Sequence, residues 1–173
     1  MHIINCTYDA NATDILKILN EAILNSTALY DYNTRTPESM VAWFKVKQLG
    51  SYPVIGAVSE EDTLMGFASY GIFRNWPAYK YSVEHAVYVH KQHRGKGVGT
   101  ALMLQLIEEA KKQQYHAVIG GIDTANEASI TMHEKLGFSH CGTLKQVGFK
   151  FGRWLDLAFY QLLLETPEKP IDG

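Results

Sequence analysis

Apolar positions recur along this chain with two periods, and the changes of period mark out its elements. Ile15, Ile18, Leu19, Ala22 and Ile23 fall at i, i+3, i+4, i+7 and i+8, one face of an amphipathic helix. Thr36-Pro37-Glu38 supplies a capping hydroxyl, a proline for the first helical position and an acid. It predicts a second helix with Met40, Val41 and Phe44 on one side, ending near Gly50. A short apolar run at 2–7 reads as a first strand, and 53–59, 64–73 and 81–89 read as three more. The turn at 60–63 makes the first two of these three an antiparallel hairpin. A long helix follows over 97–114, with Leu102, Leu106 and Ala110 on one stripe and Glu108 four residues before Lys112. Then come a buried-type strand at 116–122, a helix from Asn126 to Leu136 stopped by Gly137, and strands near 138–148 and 153–163. The order β-α-α-β-β-β-α-β-α-β-β predicts an α/β protein, a mixed sheet with helices on both faces.

Composition narrows the picture by exclusion. The 173 residues suit one domain, 1–173, with a tail at 166–173 that reads as frayed. Sixteen Lys and Arg against eighteen Asp and Glu give a formal charge of −2, which argues against a protein built to grip nucleic-acid backbone. No apolar run reaches the ~20 residues of a membrane helix, and the N-terminus lacks a leader pattern. Cys6 and Cys141 make neither a disulfide framework nor a CxxC zinc site. The expectation is a cytoplasmic protein without a membrane, nucleic-acid or metal partner.

Chemistry concentrates in Val87-Tyr88-Val89-His90-Lys91-Gln92-His93-Arg94-Gly95-Lys96-Gly97-Val98-Gly99-Thr100. This is a strand, a short loop and a helix whose first turn is nearly bare of side chains. Unpaired N–H groups and the positive dipole end make such a helix start an anion site, and Arg94 and Lys96 add charge. A Walker loop is excluded because no lysine followed by Ser or Thr closes the loop. A dinucleotide fingerprint is excluded because the glycines stand at 95, 97 and 99. A glycine-rich packing turn is the plainer alternative.

What remains, Arg94-x-x-Gly97-x-Gly99, resembles the acyl-CoA pyrophosphate signature of the GNAT superfamily of N-acetyltransferases. Asn126-x-x-Ser129-x-x-x-His133-Glu134-x-x-Gly137-Phe138 resembles that superfamily's downstream helix. Further stretches are similar to the phosphinothricin, methionine sulfone and methionine sulfoximine acetyltransferase group. They are Tyr70-Gly71, Arg74, Ser82 to Val89, Gln146-Val147-Gly148 and Lys150 to Asp156, so that agreement runs from about residue 70 to 156. The resemblance implies a GNAT-like fold: about seven mostly antiparallel strands, about four helices, and a splay between the strands at 81–89 and 116–122.

The same resemblance implies roles. Acetyl-CoA is the cosubstrate, held by Arg94, Gly95, Lys96, Gly97, Val98, Gly99 and Thr100. Backbone groups of Val87, Tyr88 and Val89, with Asn126 and Ser129, would line its pantetheine arm. Arg74, Asn75, Trp76, Glu84, His85 and Ala86 would form the pocket for a small amino acid. Glu84 is implied as the general base and His133 as the acid that protonates the leaving thiolate. The residues alone also allow plainer roles: a solvent-facing Glu84, Asn126 as a helix cap and His133 as a space-filling imidazole. With no cysteine in these motifs, direct attack within a ternary complex is expected. A homodimer is implied by resemblance alone. Two rivals stay open, an acetyltransferase for polyamines or protein lysines and a silent CoA-binding module.

Overall fold

The computed structural model describes residues 1–172. Its strands are β1 (His2–Asn5), β2 (Val54–Val58), β3 (Leu64–Ile72), β4 (Ser82–Val89), β5 (Ala117–Asp123), β6 (Ser139–Lys150) and β7 (Arg153–Leu163). Its α-helices are α1 (Tyr8–Asn25), α2 (Pro37–Leu49), α3 (Val98–Lys112) and α4 (Glu127–Lys135). The seven strands form one sheet in the order β1-β2-β3-β4-β5-β7-β6. β1–β2, β2–β3, β5–β7 and β6–β7 are antiparallel, whereas β4 and β5 run parallel. The order of elements is the predicted one, with boundaries moved by a few residues.

The chain divides into two interleaved compact units, 1–69 with 86–106 and 70–85 with 107–173. In the first, Ile15, Ile18 and Leu19 of α1 pack with Met40, Val54, Val58, Leu64 and Phe67, and Trp43, Phe44 and Tyr88 close around them. Burial of each large side chain contributes about 1.5–3 kcal/mol, so the i, i+3, i+4 stripe is enough to fix which face of α1 turns inward. Thr7 and Thr36 cap α1 and α2 by accepting from the N–H groups of Ala10 and Ser39. In the second unit, Tyr70, Val83, Val118, Phe138, Leu155 and Ala158 are buried.

The tail at 166–172 carries no helix or strand but makes contacts with the body of the chain. Leu164 N–H donates to His116 O, Thr166 Oγ1 donates to Tyr115 O, and Ile171 N–H donates to the Tyr81 hydroxyl. Its low hydrophobicity concealed this because the tether consists of polar and backbone groups; Gly173 lies outside the described residues. The penultimate strand runs on to Lys150, but its ladder with β7 is interrupted between Leu144 and Gly148. There Gln146 takes a positive φ of 53° and donates its N–H to Asp156 Oδ1 at 2.8 Å. Among the described residues, no helix is long and apolar enough to cross a membrane.

Candidate active site

The glycine loop belongs to the first unit. β4 ends at Val89, His90 N–H donates to Met65 O at 2.8 Å, and a short 3₁₀ turn spans Lys91–His93. Gly95 and Gly97 then adopt φ of +74° and +78°, left-handed values that side chains other than glycine adopt at a cost. A Cβ at either position would meet nothing within 4 Å, so the glycines serve conformation and approach, not packing. Ala101 N–H makes the first helical bond, to Gly97 O at 3.0 Å. The N–H groups of Val98, Gly99 and Thr100 precede it, the first-turn donors for which a helix has no intrahelical partner. The result is an open, positively polarised cradle suited to a diphosphate, with Lys96 exposed beside it. Arg94 is less free than its sequence suggests. Its Nε donates to Val89 O at 3.0 Å and its Nη2 to Glu21 Oε2 at 2.5 Å, so it braces the loop against the end of β4 and against α1. Tyr88 turns its ring to Phe67, 5.4 Å between centroids, while Val87 and Val89 are half-buried.

The second unit carries the titratable cluster. Glu84 is the last β4 residue in register with β5, opposite Ile119. Its carboxylate lies 3.8 Å from Arg74 Nη1, with the two side chains 37% and 49% exposed. Burial pushes the Glu84 pKa above the usual glutamate value, and the Arg74 charge pulls it partly back. Arg74 is held by a 2.7 Å bond to Phe73 O, its guanidinium lying 4.3 Å from the Phe73 ring centroid. Gly121, exposed although mid-strand, lies beside Glu84 and keeps that face open. Asn75 and Trp76 follow in an exposed loop. The strand alternation therefore places a raised-pKa carboxylate and a guanidinium together at the surface.

His85 and His133, by contrast, are 8% and 1% exposed. Their Nε2 atoms are 3.1 Å apart, and His133 Nδ1 is 2.7 Å from Ser129 O. A carbonyl can only accept, so His133 carries its proton on Nδ1 and presents a bare Nε2, to which His85 Nε2–H donates. His85 Nδ1 is then unprotonated, and it is buried without a partner. Burial, with His133 adding to it, depresses the His85 pKa to about 3. Burial also lowers that of His133, opposed by the bond to Ser129. Both rings are neutral at physiological pH. Asn126 caps α4, its Oδ1 accepting from Ser129 N–H at 3.2 Å. The stripe expected along a cofactor thus has its polar atoms turned to partners within the helix and to His85.

The sequence profile of the Acetyltransferase (GNAT) family matches residues 17–138. The chain belongs to this family. It is 43% identical over 162 residues to an L-methionine sulfoximine/L-methionine sulfone acetyltransferase of Salmonella typhimurium, covering 93% of this chain and 94% of that one. An L-amino acid N-acyltransferase of Escherichia coli is 41% identical, with 93% of each chain covered. Among solved structures, a phosphinothricin acetyltransferase of Sinorhizobium meliloti in complex with acetyl-CoA superposes with a TM-score of 0.93. It is 34% identical, with 99% of this chain and 94% of that one covered.

Sequence reasoning overlooked three residues of this acetyltransferase. Glu21, the acidic partner of Arg94, sits on the polar side of α1 and looks like any solvated charge. Asp123, 4% exposed, accepts from Arg153 Nη2 at 3.0 Å and from Ala125 N–H at 3.1 Å, fixing the turn that leads into α4. Its signal was an acid just ahead of the Asn126 cap. Gly120 is the third; a Cβ there would fall 2.5 Å from His85 Nε2. Cys6, half-buried with its thiol pushed up to about 12, is no candidate nucleophile.

Proposed function

We propose that this acetyltransferase transfers the acetyl group of acetyl-CoA to the α-amino nitrogen of a small amino acid of the methionine sulfone, methionine sulfoximine or phosphinothricin type. The observation that carries the reading is the Arg74–Glu84 pair, 3.8 Å apart at the surface of one unit. A guanidinium for the acceptor's carboxylate or its sulfone or phosphinate oxygens, beside a carboxylate for its ammonium, matches a zwitterion. The activities of the relatives support the same substrate class. Acetyl-CoA supplies the activated thioester. Gly95, Gly97 and the N–H groups of Val98, Gly99 and Thr100 hold its diphosphate, with Lys96 adding charge. Val87, Tyr88 and Val89 offer backbone groups to the pantetheine. Asn75 and Trp76 border the acceptor.

In this reading Glu84 takes the proton from the acceptor ammonium, directly or through water, and the freed amine attacks the thioester carbon. The nitrogen, positively charged after the attack, gives its second proton to the leaving thiolate by way of solvent, since His133 has its nitrogens engaged with Ser129 and His85. No metal takes part, and the protein works as a single cytoplasmic domain paired in a homodimer. Exposed Leu144, Val147, Phe149 and Trp154 on the β6–β7 hairpin support that pairing, which light scattering tests.

Thiol release from acetyl-CoA across a panel of amino acids, spermine and lysine peptides tests the assignment. Methionine sulfone or sulfoximine is expected to be the better acceptor, and faster turnover of spermine or peptide lysine would overturn it. Arg74→Ala is expected to raise the KM for methionine sulfone about fivefold, near 1 kcal/mol for a half-exposed charged contact. The affinity for acetyl-CoA stays close to wild type.

A further inference from the structure

The parallel ladder of β4 with β5 stops at the pair Glu84–Ile119. The next residues on the two strands are His85 and Gly120. The His85 imidazole lies over Gly120 in space that any β5 side chain would occupy, a Cβ there falling 2.5 Å from Nε2. From there the ring reaches His133 on α4 through the 3.1 Å Nε2–Nε2 bond, the two ring planes inclined by only 18°. Phe138 closes edge-on against both rings, with centroids 5.5 and 5.0 Å away. The hydrogen bonds run one way, from His85 to His133 to Ser129 O. A second proton on His133 Nε2 would face the His85 N–H. One on His85 Nδ1 would be buried without an acceptor.

Successive strand side chains point to opposite faces, so clamping the His85 ring on one face fixes the backbone that directs Glu84 to the other. We propose that His85, His133 and Gly120 form an uncharged wedge that anchors β4 where its pairing with β5 ends and thereby holds the Glu84 carboxylate in its working position. His85 and His133 are positioning residues on this view, and their proton inventory stays constant through the reaction. The inference rests on Glu84 being the base.

The test compares His133→Gln, His133→Phe and Gly120→Ala by kcat and KM for methionine sulfone and acetyl-CoA, from about pH 6 to 9, with melting as a folding check. Glutamine can donate to Ser129 O and accept from His85 but cannot carry an ionisable proton. His133→Gln is expected to keep kcat within about threefold of wild type, with an unchanged pH profile. His133→Phe and Gly120→Ala are each expected to lose about tenfold in kcat with little change in KM for acetyl-CoA. The variant that combines His133→Phe with Gly120→Ala should lose little more than either single one, as expected of residues acting as one unit. A glutamine variant as impaired as the phenylalanine one would overturn the proposal, because a titrating proton would then be required. Wild-type turnover in His133→Phe or Gly120→Ala would overturn it too, and if one of these fails to fold the other decides. Failure of the base assignment reads out separately, as full activity of Glu84→Gln.

Discussion

Glu84→Gln is expected to lower kcat/KM at neutral pH by about two to four orders of magnitude, the range seen when a positioned base is removed. The substitution preserves size and polarity while removing the negative charge opposite Arg74 and, with it, the basicity. The acceptor reaches the site as an ammonium, whose lone pair is unavailable until one proton leaves. Wild-type kcat/KM should fall as pH drops through the Glu84 pKa, because the protonated carboxyl cannot accept. Burial raises that pKa above an ordinary glutamate's, so the acidic limb lies correspondingly high. Arg74 opposes the shift; Arg74→Ala removes the opposition and should move the limb to still higher pH. In Glu84→Gln the limb disappears, and the residual rate climbs with pH as more acceptor arrives already deprotonated. The measurement is kcat/KM against pH for the three proteins, with folding checked by melting. Wild-type rates in Glu84→Gln at neutral pH would remove Glu84 from the role.

Most of the architecture was legible because it is written in local periodicity. The α1 stripe, the Thr36-Pro37 start of α2, the bare first turn of α3 and the Asn126 cap each need only a few neighbouring residues. The glycine loop was equally legible, since left-handed φ values at Gly95 and Gly97 are what that spacing of glycines allows. What escaped depends on contacts between distant segments. Arg94 meets Glu21 from 73 residues away, and His133 meets His85 from 48 away. No helical or strand period reports such a pairing. The fold supplies partners for both nitrogens of His133, Ser129 O and the His85 ring, and the helical stripe reports neither. Gly120 was passed over for a related reason. A glycine pair inside a buried-type strand looks like ordinary tight packing until the ring that fills the missing side chain's place is known.

Gly97→Val is expected to weaken acetyl-CoA binding by about 2 kcal/mol, roughly thirtyfold, in a protein that still folds. Two properties of the position combine. Its φ of +78° lies in the left-handed region, where a β-branched side chain crowds the backbone and drives the loop toward negative φ. That rotation turns the N–H groups of Val98 and Gly99 away from the direction in which an anion would approach. The space above the residue is also open, so the valine methyl groups would project to where a diphosphate must come close. Gly97→Ala separates the two effects, since it keeps most of the backbone penalty, about 1–2 kcal/mol, with little of the bulk. Titration calorimetry with acetyl-CoA on both variants and wild type should give an ordered series, wild type tightest and valine weakest. Because Arg94 is already committed to Glu21 and Val89, its charge cannot compensate for the lost backbone donors. An unchanged affinity in folded Gly97→Val would mean that acetyl-CoA is held elsewhere, and the α3 start would then be only a packing turn.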